Sequence, residues 1–446
     1  MCESIKRTTK HAYLYLFISL IGIVIFSYST VRLDALSDDG GYLRMIAENP
    51  GFYNYISFTY LALNGRVVAN SLMYVMLQIN FLPLWVAISA FATISIAYNI
   101  SRMFGKSVTL KNMTVVLGLM MCMGFRVLSS SMLWFTGAIF YLWPVAILIY
   151  LLAQASNRFY RKTTVTFSWS YALEVFLGVT LMLWSEQAAL VLLGFWILQI
   201  IHHLVVEKQK TNVWEILAVG LWIACFLLMF LAPSQRIRMN NVYGYAALEG
   251  GVGYLLQHGI YWTFQSIFTQ QRILVLLFGL LTLLCANRNK HPILLRCFKI
   301  IWCIPILSIL IQGILFLLHK NSSHDLFTFF YLPDAGYTLL NLLPYLYWTL
   351  YAVVLFILYF VNIEKKIFTG FILLASLATL VLMWFSTTMY ASGNRTCMLF
   401  CIGMVALLTK LLLEKNKTYE ILILGIGIPH LLSFSILLAV NFVIHY

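Results

Sequence analysis

An all-α polytopic membrane bundle of about 13 transmembrane helices, with a large first outer loop carrying juxtamembrane helices, is the fold this sequence predicts. Three observations carry the prediction. The chain is 62% hydrophobic and only 10% charged over 446 residues, with a mean hydropathy of +0.88, a composition that excludes a water-soluble globule. Apolar stretches of about 20 residues, the length needed to cross a bilayer, recur along the chain. Short basic turns separate every second pair of them, as the positive-inside rule requires.

The first stretch, "HAYLYLFISLIGIVIFSYST" at 11–30, follows Lys6, Arg7 and Lys10. It has no small-residue cleavage site, so it reads as a retained first span with the N-terminus in the cytoplasm. The outer loop 31–83 comes next. Within it, 66–82 is apolar and ends at Pro83, yet counting it as a span would invert every later turn. It is therefore expected as a helix lying on or dipping into the outer leaflet. Further spans fall near 84–102, 112–128, 138–155, 165–184, 187–206, 213–232, 271–287, 298–318, 344–362, 367–387, 396–413 and 420–443. Under this threading the long loops 31–83, 233–270 and 319–343 share one side. The expected organisation is one integral unit. Residues 1–240 include the first outer loop 31–83, and residues 241–446 carry further spans with the outer loop 319–343.

Charge tests the threading. The turns assigned to the inside, among them "SRMFGKSVTLK", "SNRFYRK" and "NRNKHPILLRCFK", take most of the 29 basic residues. Left near the outer face are Arg32, Arg44, Arg66, Arg126, Arg236, Arg238, Arg272, Lys320 and Arg395, a set in which a single lysine stands among arginines. Lysine serves as a generic inward anchor, whereas the guanidinium fork suits bidentate capture of phosphate or carboxylate. An anionic ligand on the outer side is one reading; pairing with outer carboxylates or lipid head groups is the other.

The outer face also collects "SDDGGYL" with Asp38 and Asp39, "WFTGAIFYLWP" with Trp134 and Tyr141, and "LWSEQA" with Glu186. Glu186 stands between two apolar helices with almost no loop, so it faces a cavity or needs an ion-pair partner. Trp134, Tyr141 and Trp143 read either as interface anchors or as a platform for a sugar or lipid. Glu174, near the middle of a span, reads as a packing residue. His319, His324 and Asp325 match no well-defined metal site. The eight cysteines show no CxxC spacing and suggest neither disulfides nor zinc. No glycine-rich phosphate cradle or GxSxG elbow appears, which argues against a cytosolic nucleotide as the direct substrate. The net charge of +14 reflects cytoplasmic membrane anchoring and makes no case for nucleic acid.

Taken in order, "SDDGGYL", "NGRVVANSL", "WFTGAIFYLWP", "WSEQA" and "APSQRIR" resemble the GT-C superfamily of integral-membrane glycosyltransferases. The resemblance is to a bacterial branch related to O-antigen and teichoic-acid glucosyltransferases. It covers roughly residues 1 to 240 by motif and the remainder by hydropathy alone, and it implies that 1–240 is the catalytic transmembrane module and 241–446 the lipid-carrier or acceptor side. The family turn Pro-Gly-Asn-x-x-Arg here reads Pro233-Ser234-Gln235-Arg236-Ile237-Arg238, so the family arginine falls on Arg236 or Arg238. The resemblance implies an inverting transfer of a sugar from a polyprenyl-phosphate donor to a glycan or teichoic-acid-like acceptor, at the outer face of a bacterial plasma membrane. It implies a first-loop aspartate as base. Asp39 is preferred over Asp38, since Gly40 and Gly41 are expected to leave it exposed at a helix start. The other aspartate would orient the acceptor or hold a divalent cation, Mg²⁺ or Mn²⁺, a cofactor of some family members only. Arg66, Arg236, Arg238 and Arg395 would bind the phosphate, and Glu186 would contact sugar hydroxyls or hold an arginine in place. Two other classes fit an arginine-rich outer face: a polymerase or ligase of lipid-linked oligosaccharides, and a transporter or flippase of a lipid-linked or anionic solute. Charges gathered at one face and the lack of matching broken helices weigh against the transporter.

Overall fold

The structure, a computed structural model, describes residues 2–33, 37–105, 107–161, 167–206, 208, 212–235, 237, 251–287, 291–317, 330, 339–364, 366–386, 392–416 and 419–444. Among these residues every regular element is helical. In chain order they are α1 (Cys2–Ser29), α2 (Asp38–Glu48), α3 (Phe52–Phe58), α4 (Val67–Ile79), α5 (Leu82–Phe104), α6 (Leu110–Met121) and α7 (Trp143–Arg161). Then follow α8 (Trp169–Met182), α9 (Glu186–Ile201), α10 (Val213–Phe230), α11 (Gly251–Phe264), α12 (Arg272–Cys285) and α13 (Pro292–Leu317). The chain closes with α14 (Leu339–Asn362), α15 (Lys366–Trp384), α16 (Met398–Glu414) and α17 (Glu420–Ile444).

Among the described residues, ten helices are long and apolar enough to cross a membrane, or up to 12 if each of two bent pairs counts as one span. The expected 13 differ from this at three places. The span expected at 112–128 is α6 followed by Phe125–Met132, with a bend of 98° between them. The span expected at 271–287 is α12, joined at 69° to the helical stretch Gly251–Gln270. Half of the expected loop 233–270 is therefore helix. The span expected at 165–184 is represented by α8, whose 14 residues extend about 21 Å, short of the ~30 Å apolar core of a bilayer. In the first loop, α4 is likewise only 13 residues long and ends at Asn80 in the left-handed conformation. That length suits the expected surface or dipping helix and not a crossing.

Burial ranks the helices. The window around α16 is 94% buried, while that of α13 is 17% buried, so α16 is central and α13 peripheral. A helix apolar on all sides has two stable settings, inside a protein or in lipid, and these two helices occupy one each. α16 packs on α15, α12, α6 and α5; α17 packs on α6 and α1. The C-terminal half is thus threaded into the N-terminal half. Exposed Phe91, Phe176, Leu228 and Ile300 leave an apolar exterior of the kind lipid covers.

Described residues flanking several of the basic turns pair with one another at one end of this bundle. Arg102 Nη2 donates to Gln154 Oε1 at 3.1 Å, Asn287 N to Asn362 Oδ1 at 3.0 Å, and Glu364 N to Glu414 Oε2 at 3.0 Å. Lys111 pairs with Glu420 at 3.1 Å. Glu174 also has a defined role as partner of Arg158, whose Nη1 and Nη2 reach it at 2.9 and 2.6 Å, while the guanidinium lies 5.3 Å from the Trp196 ring. Glu174 is 5% exposed, and removing one member of so covered a pair leaves an uncompensated charge. Glu174→Ala is expected to destabilise the protein by roughly 3 kcal/mol, and Arg158→Met in the same chain to restore much of that loss. Thermal unfolding in detergent measures both. Every cysteine whose side chain is described is unbridged.

Candidate active site at the loop end of the bundle

At the other end, the first loop folds back over the turns between spans. Ser37 caps α2, its Oγ accepting weakly from Asp39 N at 3.3 Å. Asp38 and Asp39 occupy the first turn, where the helix dipole favours negative charge. There the two carboxylates part. Asp39 is fully buried, contrary to the exposure expected from Gly40 and Gly41. Its Oδ2 accepts from Trp134 Nε1 at 3.2 Å, and its Oδ1 accepts from Thr136 N at 3.1 Å and from the Thr136 hydroxyl in a short hydrogen bond. Trp134 is the extended residue that precedes the helical run opening at Phe135, so the Thr136 N–H is one of the orphan donors of a helix start. Asp39 therefore caps a helix in another part of the chain, and that satisfied contact is why it is buried.

Asp38 points the other way. Its side chain is 50% exposed and accepts from Arg395 Nη1 at 2.9 Å. Arg395 belongs to the 3₁₀ turn Gly393–Cys397 that leads into α16. Its guanidinium lies 5.3 Å from the Trp134 ring centroid and 5.9 Å from that of Tyr141. Ser131 Oγ holds its carbonyl oxygen at 3.0 Å. A cation at a helix N-terminus works against the dipole; the carboxylate and the two aromatic faces offset that cost.

The second half of the site is built on Arg66 and Glu186. Arg66 stands just before α4, and its backbone N–H donates to Asn64 Oδ1 at 3.0 Å. Glu186 opens α9, with Ser185 as the residue before it. Arg66 Nε lies 3.0 and 2.8 Å from the two Glu186 oxygens and Nη2 lies 2.7 Å from Oε2, a bidentate pair. Gln235 Nε2 donates to Glu186 Oε1 at 3.5 Å, and the guanidinium lies 5.8 Å from the Phe140 ring. Phe140 stacks in turn on Tyr42 at 5.7 Å. Burial works against the charge on Arg66, but Glu186 first, then Tyr141 and Tyr42, more than offset it and hold its pKa above the ordinary arginine value. Arg66 stays a cation at every working pH.

Close backbone approach explains two glycines in the quoted motifs. A Cβ on Gly65 would collide with the Met229 carbonyl oxygen at the end of α10, and one on Gly137 would collide with that of Ser130. These contacts seat the Arg66 turn and the Trp134–Thr136 turn. π-Turns at Thr59–Leu63, Leu128–Met132 and Ala138–Leu142 flank the same residues, and an extra residue per turn re-aims the side chains that follow. Tyr141 lies on the last of them.

The structure thus brings together Asp38, Asp39, Trp134, Tyr141 and Arg395, and beside them Arg66 and Glu186. Arg236 and Arg238 lie outside the described residues, as do His319, His324 and Asp325. Both site guanidinia are carboxylate-paired, Arg66 through Nε and Nη2 and Arg395 through Nη1 alone. Among the described residues, no three His, Cys, Asp or Glu side chains are grouped to hold a metal ion. Sequence reasoning did not single out Thr136, Phe140 or Gln235, although all three lie within its quoted motifs. Tyr42, in "SDDGGYL", and Asn64, in "NGRVVANSL", went the same way. No family model, no curated protein and no solved structure matches the chain.

Proposed function

We propose that the chain is an integral-membrane glycosyltransferase of GT-C type. It would move a sugar from a polyprenyl-phosphate donor to a cell-envelope glycan or polymer acceptor. The reading is supported above all by one observation: the half-exposed carboxylate of Asp38 stands 2.9 Å from a guanidinium that lies against the faces of Trp134 and Tyr141. A base, a phosphate ligand and an aromatic wall for a sugar ring or a lipid are the three parts such a transfer needs.

In this reaction the acceptor hydroxyl oxygen attacks the anomeric carbon while the bond from that carbon to the phosphate oxygen breaks. The electron pair leaves with the polyprenyl phosphate, and the hydroxyl proton passes to Asp38. Asp39, whose oxygens are taken by Trp134 and Thr136, holds α2 and the Trp134 turn together and so positions its neighbour. This reverses the roles preferred from the sequence. Arg395 binds the phosphate as its charge grows, and Glu186 fixes Arg66 beside it. The basic turns at the opposite end of the bundle favour that end as cytoplasmic, which supports reading the site as outward-facing, at a bacterial plasma membrane. A polyprenyl chain then reaches it sideways through the bilayer.

The test is a purified preparation in lipid nanodiscs given a panel of polyprenyl-phosphate sugars with glycan and teichoic-acid-like acceptors. Loss of the lipid-linked sugar with matching growth of a glycosylated acceptor is expected. If no donor in the panel is consumed, the assignment fails.

A further inference from the structure

The two arginine–carboxylate pairs differ in kind. Arg66 engages both oxygens of Glu186 at 2.7 to 3.0 Å, with side chains only 23% and 19% exposed. Arg395 gives one nitrogen to one oxygen of Asp38, at 2.9 Å, and the Asp38 side chain is 50% exposed. The Arg395 Nε is buried and has no hydrogen-bond partner among the described residues. A bidentate, largely covered pair resists exchange. A single contact to a carboxylate standing in water is weak and exchanges readily.

The guanidinium cannot follow its partner out. It is held between Trp134 and Tyr141, and its backbone is tied to Ser131. Its place at the turn into α16 is one where the helix dipole draws an anion. Asp38, projecting from a different helix, fills that place in the resting protein.

We infer that Asp38 is an internal stand-in for a phosphate on Arg395, and that a phosphate-bearing ligand displaces it. The inference rests on the proposed function for the source of the phosphate, and it adds an order of events. Before exchange, one oxygen of Asp38 is committed to Arg395. After exchange, both oxygens face the acceptor side while the phosphate occupies the guanidinium, including its unpartnered Nε–H. Donor binding therefore delivers the base, and an acceptor arriving without a donor meets a carboxylate that is already engaged. The coupling is reciprocal: whatever removes Asp38 from Arg395 must tighten phosphate binding.

Two measurements test this on the full chain in detergent. In the first, the parent protein and Asp38→Asn are titrated calorimetrically with dodecyl phosphate and, separately, with inorganic phosphate. The variant is expected to bind dodecyl phosphate roughly two- to five-fold tighter, the return of a half-exposed ion pair. In the second, carbodiimide labelling of the parent is mapped by mass spectrometry with and without dodecyl phosphate, which needs no variant to fold. Labelling at Asp38 is expected to rise with the ligand while labelling at exposed Glu48 stays constant. If the parent binds dodecyl phosphate but the variant binds it no tighter and Asp38 labelling does not rise, the exchange is overturned and the phosphate site stands. Absence of binding to either protein overturns the phosphate reading of the site and this inference with it. An equal response to inorganic phosphate overturns the lipid-borne source, and the exchange stands.

Discussion

Replacing Asp38 by asparagine is expected to lower sugar transfer by about 10²- to 10⁴-fold, the range supplied by a positioned general base, with little change in thermal stability. The second half of that expectation follows from geometry. The side chain is 50% exposed and makes a single contact to Arg395, and pairs of this sort contribute between about 0 and 1 kcal/mol. The variant should therefore fold, bind phosphate and fail to turn over. Initial rates with a consumed donor, beside a melting curve, measure both parts. A variant that retains full transfer removes Asp38 from the chemistry.

Asp39→Ala is expected to do the reverse in order of cause: it should destabilise the fold by roughly 3 kcal/mol and lose activity as a consequence. The fully buried carboxylate accepts from Trp134 Nε1, Thr136 N and the Thr136 hydroxyl. Truncation leaves the buried Thr136 amide unpaired, at a cost of about 1 to 3 kcal/mol, and takes the acceptor from the half-buried Trp134 indole. Asp39→Asn keeps acceptor capacity on one oxygen and should fall between parent and alanine variant in melting temperature. If Asp39→Ala melts with the parent while transfer disappears, Asp39 and not Asp38 carries the proton.

The contrast between the two aspartates also measures how far the sequence could be read. Adjacent carboxylates after Ser37 announce a helix start, and α2 does start there. Which one is buried depends on where Thr136 lies, nearly a hundred residues on, and no local pattern encodes that distance. Glu186 was visible as a costly charge between apolar helices, with an arginine as one expected partner. That the partner is Arg66 was not, because the Arg66 turn is seated by Gly65 against the end of α10. The bend before Phe125 was hidden for a related reason. Hydropathy averages over a window and registers 112–128 as one continuous apolar stretch, whereas the chain turns by 98° inside it. The helical stretch Gly251–Gln270 was missed because His258 and several glutamines and glycines dilute its hydropathy, yet its buried face packs on α15.

By itself the sequence determined the class of molecule: an apolar helical chain with its basic turns sorted to one end, since helix length and charge asymmetry are local properties that any reading frame of 20 residues reports. Only the tertiary structure decided that Asp39 is a cap and Asp38 an exposed carboxylate on Arg395. It alone, too, decided that Arg395, from the turn before α16, meets Asp38 and the Trp134 and Tyr141 rings. Those outcomes belong to contacts between residues far apart in the chain, where burial and hydrogen-bond partners are set by packing and not by neighbours in sequence.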